Sequence, residues 1–217
     1  MKSDMQLQRD VIDELRWDPQ IKEKEIGVAA KDGVVTVSGS IASYAERWAV
    51  ERAVERVAGV KVVANEIEVK LPTSFVRSDS DIAHQVVEAF RWDVQVPDET
   101  ITAKVARAWV TLEGEVDWAF QRDAAESAVR NLTGVRGVTN LLKVTVPISS
   151  YDVSMKIKEA LRRRADRDAD RITVEAVGDV VTLKGTVTSF AERRAAEGVA
   201  WSAPGVREVK DEIVVTM

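Results

Sequence analysis

The spacing of apolar residues changes in a fixed order along the first 70 residues of the chain. In DVIDELRW, the apolar residues Val11, Ile12 and Leu15 fall on one helical stripe. The next segment, IGVAAKDGVVTVSG, alternates apolar and polar residues as two short strands do. These strands meet at Asp32-Gly33, a dipeptide typical of a tight hairpin turn. The pattern therefore predicts a helix followed by a β-hairpin.

A second helix and a third strand follow the hairpin. The segment SYAERWAVERAVERVAG contains a regularly spaced inner stripe formed by Ala45, Ala49, Ala53 and Val57. Ser43 and Glu46 have the spacing of an N-terminal capping box. Ser189 and Glu192 have the same spacing later in the chain. Gly59 is expected to end the helix, and a last strand is predicted over Val63–Val69.

This order of elements occurs three times along the chain. Each of the glycines Gly39, Gly114 and Gly185 is followed twenty residues later by a Gly-Val pair, whose glycines are Gly59, Gly134 and Gly205. The same register aligns Arg47, Arg122 and Arg193 without a gap. The chain is therefore predicted to contain three domains, over residues 1–71, 79–147 and 149–217, separated by short linkers that Pro72 and Pro147 mark.

The six repeat glycines are predicted to be structural. A glycine between a strand and a helix can cradle a phosphate, but the chain contains no Gly-x-x-x-x-Gly-Lys-Ser/Thr sequence. Positions that need a positive φ, or where two backbones approach closely, explain the glycines instead. GVRG at 134–137 has the spacing of a nucleic-acid-clamping loop, but the sibling copies read GVKV and GVRE. No nucleic-acid partner is expected.

Each copy, with the order αββαβ, predicts an α+β domain in which two helices pack on one face of a three-stranded mixed sheet. The order, the DGVVTVSG hairpin, the arginine early in the second helix and the terminal GV…V…N.I.V strand resemble the BON domain (bacterial OsmY and nodulation). The resemblance covers all three copies and implies a non-enzymatic protein associated with osmotic or envelope stress. In this family some members bind phospholipid, and others connect a larger protein to the envelope. The best-known members are periplasmic and have two copies.

Composition narrows the possible chemistry. The chain has 217 residues, 45% hydrophobic and 31% charged, which is ordinary globular composition. It has no cysteine and a single histidine, His84, so disulfides, thiolate metal sites, histidine metal clusters and the usual serine triad are excluded. His84 lies among polar residues and is predicted to be a surface side chain. No carboxylate pair recurs in all three copies, so we expect no enzymatic activity and no cofactor.

The N-terminal sequence bears on the compartment. MKSDMQLQRDVIDEL lacks the apolar core of a signal peptide, and the chain has no apolar run long enough to span a membrane. These features predict a cytoplasmic protein, or a periplasmic one if an N-terminal leader has been removed. The net charge of −5 disfavours binding of the whole chain to nucleic acid or to an anionic membrane, although a local basic patch could still bind.

Tryptophans give the first candidate contact residues. Trp48, Trp118 and Trp201 stand where the sibling copies have polar residues, whereas Trp17 and Trp92 share RWD at the end of the first helix. Trp109, aligned with Val34 and Val180, is predicted to be a core residue. Exposed aromatic residues often mark contacts. Two interpretations stay open: the tryptophans pack the domains against one another, or they contact a membrane interface or a partner surface.

The third copy carries the candidate patch for an anionic ligand. RRRADRDADR contains Arg162, Arg163, Arg164, Arg167 and Arg171, and Arg163 stands where the other copies have tryptophan. Five arginines could hold lipid phosphates, whereas the interleaved aspartates favour a solvated face with internal ion pairs. Two functions follow as hypotheses. The first is peripheral binding to anionic phospholipid through this patch and a nearby exposed tryptophan. The second is a protein-interaction or scaffold module that uses the exposed tryptophans, with the partner and the oligomeric state left open.

Overall fold

The computed structural model describes residues 2–145, 153–164, 171–203 and 206–216, with only the backbone described at 23, 153 and 162–164. The first repeat consists of α1 (Asp4–Trp17), β1 (Ile26–Lys31), β2 (Val34–Ile41), α2 (Tyr44–Arg56) and β3 (Val62–Val69). Strand β2 lies in the middle of the sheet, antiparallel to β1 and bonded on its other edge to β3.

The second repeat has the same order, with its last strand divided in two. It consists of α3 (Asp79–Trp92), β4 (Ile101–Ala106), β5 (Trp109–Val116), α4 (Ala119–Arg130), β6 (Gly137–Asn140) and β7 (Lys143–Val144). Strand β4 runs antiparallel to β5, and both short pieces of the last strand run parallel to β5. The sheet is therefore mixed.

The third repeat completes the series. It consists of α5 (Val153–Arg164), β8 (Ile172–Val177), β9 (Val180–Val187), α6 (Phe190–Trp201) and β10 (Glu208–Val215). Strand β9 is antiparallel to β8 and parallel to β10. The predicted α+β fold, three repeats of αββαβ each with a mixed sheet, is confirmed.

The helices cover one face of each sheet because alternate strand residues are apolar. In the central strand of the first repeat, Val35 and Val37 are buried. They share the core with the inner stripe of α1, formed by Leu7, Val11 and Leu15. In the third repeat, α5 and α6 contact each other and the sheet. Burial of such aliphatic side chains is the main stabilising contribution to each small domain.

The hairpin turns differ in how they reach a left-handed backbone. The predicted turn at Asp32-Gly33 has φ angles of 53° and 84°. At the equivalent turn Arg107 and Ala108 also have positive φ, 54° and 64°, without a glycine to relieve the strain. Both of their backbone N–H groups donate to the Asp79 carboxylate at 2.8 Å. Asp79, in the first turn of α3, therefore stabilises a hairpin turn whose backbone conformation is disfavoured for Arg107 and Ala108.

The predicted capping box of the third repeat is only half formed. Ser189 Oγ accepts from the Glu192 N–H at 3.2 Å, as expected for an N-cap. The Glu192 carboxylate accepts instead from the N–H and the hydroxyl of Thr188, both at 2.7 Å. In the first repeat Glu46 accepts from the Lys22 N–H at 3.0 Å, so this carboxylate ties the loop before β1 to the start of α2.

The repeat glycines lie where backbones approach closely. Gly39, Gly114 and Gly185 have φ angles of 130°, 132° and 142°. A Cβ atom at these positions would come within 2.0 to 2.2 Å of a carbonyl oxygen of the neighbouring chain segment. Gly59 and Gly134 also have positive φ, near the ends of α2 and α4, and Gly205 lies outside the described residues. A side chain at the first three positions would displace the backbone it meets.

The chain divides into two compact units that do not follow the order of the repeats. The first unit contains Met1–Ile41, Glu46–Glu68 and Ile148–Met217, and the second contains Ala42–Ala45 and Val69–Pro147. The first and third repeats therefore form one unit. Within it, Arg194 Nη2 donates to Glu55 Oε1 at 2.5 Å, and the Gly59 N–H donates to the Thr188 carbonyl at 3.3 Å.

Candidate functional site

The most exposed aromatic side chains stand at the C-terminal ends of the first helices. Trp17 ends α1 and is 85% exposed, and Trp92 ends α3 and is 84% exposed. Val94, two residues after Trp92, is fully exposed. Burying such rings on a binding surface would release a large apolar area from water. We call Trp17, Trp92 and Val94 the apolar tips of the first and second repeats.

The loop after each tryptophan has the same local structure. Asp18 Oδ1 accepts from the Gln20 N–H at 3.1 Å, and Asp93 Oδ1 accepts from the Gln95 N–H at 3.0 Å. These are aspartate turns, in which a short side chain replaces a backbone acceptor. The RWD sequence thus supplies an exposed ring followed by a residue that turns the chain away from the helix.

A basic residue precedes each of the two rings. Arg91 pairs with Glu88 at 2.8 Å, and Arg16 lies 3.7 Å from the Asp13 carboxylate. All four side chains are largely exposed, so these ion pairs contribute little to stability. A basic group at a helix C-terminus is also favoured by the helix dipole. Each of the two rings therefore has a largely exposed arginine beside it.

In the third repeat the corresponding helix end is basic. Arg162, Arg163 and Arg164 form the last three positions of α5, where only their backbone is described. Arg167 lies outside the described residues, and Arg171 is exposed immediately before β8. The structure thus brings three of the five candidate arginines to one helix end, the counterpart of the ends that carry tryptophan.

The remaining candidate tryptophans are less accessible. Trp48 is half-buried on α2, and the Arg52 guanidinium lies over its ring at 5.3 Å from the ring centre. Trp201, at the end of α6, packs against the apolar core of its own repeat. Trp118 is the N-cap residue of α4, where its backbone N–H donates to the Gln121 side-chain oxygen at 2.9 Å. The indole cannot accept a hydrogen bond, so this helix lacks the serine acceptor of its siblings.

The prediction that Trp109 is a core residue is wrong. Its side chain is 42% exposed and lies on the sheet face away from the helices, where its Nε1 donates to Thr139 Oγ1 at 2.8 Å. The ring covers Gly137 on the neighbouring strand, because a Cβ there would come within 2.2 Å of a ring carbon. The alternation in β5 buries Val110 and Leu112, leaves Thr111 part-buried and exposes Trp109.

A polar cluster between the second helix and the last strand was missed by the sequence analysis. Its members are Arg47, Glu51 and Asn65 in the first repeat, Arg122, Glu126 and Asn140 in the second, and Arg193, Glu197 and Asp211 in the third. Asn65 donates to Glu51 and Asn140 donates to Glu126, both at 3.2 Å. The sequence contained a signal, because Asn65, Asn140 and Asp211 fall at one offset from the repeat glycines.

The comparison with known families decides what kind of domain this is. The profile described as "BON domain" matches residues 3–70, 78–146 and 152–217, nearly the whole chain. The chain belongs to the BON domain family. Among the described residues of this BON-domain protein, no helix is both long and apolar enough to cross a membrane. No group of histidine, cysteine and acidic side chains suited to a metal ion occurs in the described part of the chain either.

One curated relative is Osmotically-inducible protein Y of Escherichia coli strain K12. It is 29% identical over 127 residues, which cover 57% of this chain and 63% of that protein. The match therefore spans less than two thirds of the relative's length. Together with the three BON domains, this match shows a BON-domain chain similar in part to Osmotically-inducible protein Y.

Two solved structures of CdsD, described as a structural protein of the type III secretion system of Chlamydia trachomatis, are also similar. Each is 12% identical to this chain, with a TM-score of 0.25, over 96% and 100% of the chain and 91% and 100% of the solved one. A TM-score that low carries no argument about function or domain arrangement.

Proposed function

We propose that this BON-domain chain is a non-enzymatic, stress-associated protein that binds peripherally to anionic phospholipid. The observation that carries the proposal is the exposure of Trp17 and Trp92, each beside an arginine at a helix end. Tryptophan is favoured at the membrane–water interface, where the ring meets both apolar and polar groups. Arg16 and Arg91 would lie at the level of the lipid phosphates.

The basic end of α5 would supply the electrostatic part of binding. Each basic residue held near an anionic surface contributes about 1 kcal/mol, and this contribution falls with added salt. The chain has a net charge of −5, so its binding depends on locally basic surface. The proposed attachment therefore combines apolar tips with the third repeat's arginines.

Co-sedimentation with liposomes tests the proposal. The full chain is expected to pellet with anionic vesicles at low salt, and to remain in the supernatant at high salt or with neutral vesicles. Because two arginines are reversed, Arg163→Glu with Arg164→Glu is expected to weaken binding by at least about tenfold. A matched control reverses two lysines of the same repeat, Lys184→Glu with Lys210→Glu, on the sheet.

The control separates a specific patch from net charge, because both double variants change the charge equally. Retained binding in the lysine variant and lost binding in the arginine variant support the proposal. Equal losses in both variants, binding that ignores salt, or no binding to anionic vesicles would contradict it.

A second candidate function is a protein-interaction or scaffold module that uses the exposed tryptophans. The same exposure of Trp17 and Trp92 favours it, since aromatic residues are enriched in protein interfaces. Trp48 and Trp201 are weaker candidates because Arg52 and the third repeat's core cover part of each ring. In its self-association form, this function predicts a mass that rises with concentration, and a loss of that rise in Trp17→Ala with Trp92→Ala. A mass that stays monomeric at all concentrations would contradict that form.

A further inference from the structure

The polar cluster of the third repeat differs from its siblings by one exchange of an amide for a carboxyl group. Asn65 and Asn140 each use Oδ1 to accept a backbone N–H two residues later, at 3.2 Å, and Nδ2 to donate to a glutamate. Asp211 Oδ1 likewise accepts the Ile213 N–H, at 2.9 Å. Its side chain has no N–H to donate.

The same arrangement recurs in the third repeat with a carboxyl group in place of the amide. Glu197 stands at the position of Glu51 and Glu126, and its side chain lies within hydrogen-bonding reach of Asp211, whose Oδ2 accepts from Arg193 Nε. Two ionised carboxylates are both acceptors, so a hydrogen bond between them requires a proton on one of them. In the sibling repeats the amide serves as the donor without any titration.

We infer that the third repeat contains a proton-dependent device, in which Glu197 and Asp211 share one proton between α6 and β10. The shared proton takes the place of the amide N–H that Asn65 and Asn140 provide in the other repeats. Loss of this proton places two negative carboxylates in contact, and the third repeat then opens more readily.

The surrounding charges define the pH range. Burial of the Glu197 carboxyl is the main reason that its pKa rises to about 7, and the nearby Asp211 raises it further. Arg193 and Arg194, both on α6, oppose this rise. Arg194 also donates to Glu55 on α2 of the first repeat, so part of its charge is already neutralised. Arg194 therefore lowers the pKa of Glu197 only in part.

The direction of the effect follows from proton linkage. Between pH 4.5, the ordinary glutamate pKa, and about pH 7, the folded third repeat holds a proton that the unfolded chain has lost. Its stability relative to unfolding therefore increases as pH falls through this range, and decreases as pH rises toward 7. One extra proton changes the folded-to-unfolded ratio by up to about tenfold per pH unit.

Hydrogen exchange measured by mass spectrometry on the full chain tests the inference. Peptides from α6 and β10 are compared at about pH 7.5 and about pH 5.5, after correction for the intrinsic pH dependence of exchange. Protection of these peptides is expected to rise on the order of tenfold at the lower pH. Peptides from α4 of the second repeat serve as the internal reference, because the amide of Asn140 replaces the aspartate beneath this helix.

Two conservative variants of the third repeat remove the carboxyl pair, and one variant of the first repeat creates such a pair there. Asp211→Asn gives the third repeat the arrangement of its siblings, and Glu197→Gln supplies an amide from the other side. Both are expected to remove the extra rise in protection. Asn65→Asp gives the first repeat a carboxylate pair with Glu51, and the rise should then appear in α2 and β3.

Each outcome of these experiments either supports or overturns the shared proton. A rise confined to the third repeat that disappears in Asp211→Asn supports the shared proton. An equal rise in all repeats, a rise unchanged in both variants, or no rise in the unmodified chain overturns it. Carbon-13 NMR of the Glu197 carboxyl gives an independent readout, since a titration near its ordinary acidic range would also overturn the inference.

Discussion

At the scale of single residues, two glycines of the third repeat have opposite surroundings. Gly185 has a φ of 142°, and a Cβ there would lie 2.0 Å from the Arg171 carbonyl oxygen. Gly198 lies within α6, and an added Cβ there would meet nothing within 4 Å beyond its chain neighbours and the backbone of its own helix. The same added methyl group therefore meets backbone at one position and open space at the other.

We predict that Gly185→Ala destabilises the protein, whereas Gly198→Ala stabilises it. The first change should lower the free energy of unfolding by about 2–4 kcal/mol, because the strained backbone must shift. The second should raise that free energy by about 0.5–1 kcal/mol, because alanine loses less entropy in a helix. Urea unfolding followed by far-UV circular dichroism measures both, and effects of the same sign would contradict the account.

At the scale of elements, the second repeat compensates a large residue with a small one across two strands. Trp109 on β5 lies opposite Gly137 on β6. The first repeat has Val34 and Val62 at the equivalent positions, and both are exposed. The total volume on this face is thus divided unequally in one repeat and equally in the other.

This compensation predicts a strong coupling between the two positions. Gly137→Val alone should cost about 2 kcal/mol, because its side chain collides with the Trp109 ring. In a Trp109→Val background the same change recreates the Val34–Val62 pair, and it should then be neutral or stabilising because valine is favoured in strands. A double-mutant cycle by urea unfolding measures the coupling, and additive effects would refute the compensation.

The sequence predicted the elements because each helix and strand buries one periodic face. It placed Trp109 wrongly because an apolar residue at the same position of every copy need not be buried: Val34 shares its face with Thr36 and Ser38, whereas Val35 and Val37 form the apolar set. The structure buries Val35 and Val37, so Val34 and its equivalents lie on the other face. The polar cluster was missed because its members are far apart in the chain and only the fold brings them together.

At the scale of the whole molecule, the first and third repeats form one unit that no sequence pattern predicted. Glu55 on α2 accepts from Arg194 on α6, and Arg52 Nη1 lies 3.9 Å from the other carboxylate oxygen. Burial raises the pKa of Glu55, and the charge of Arg194 opposes that rise. Arg194 therefore opposes the effect of burial on a carboxyl group that lies between two repeats.

Removing the Arg194 charge is predicted to loosen the unit. Arg194→Ala should cost about 1–2 kcal/mol above neutral pH, because it leaves the Glu55 charge buried with a weaker partner. The cost should shrink as pH falls, because the pKa of Glu55 rises further and the carboxyl can take a proton. Adding Glu55→Gln should restore part of the lost stability. Thermal unfolding across pH measures these effects, and a cost that grows as pH falls would contradict the prediction.

The measurement that tests the proposed attachment most directly is quenching of tryptophan fluorescence by brominated phospholipid in anionic vesicles. Quenching requires the indole to come close to the bromine atoms within the bilayer. The full chain is expected to be quenched at low salt, and Trp17→Phe with Trp92→Phe should lose most of the quenching while still sedimenting with the vesicles. Quenching that persists unchanged in this double variant, or a bound chain that is not quenched, would contradict the role of the apolar tips.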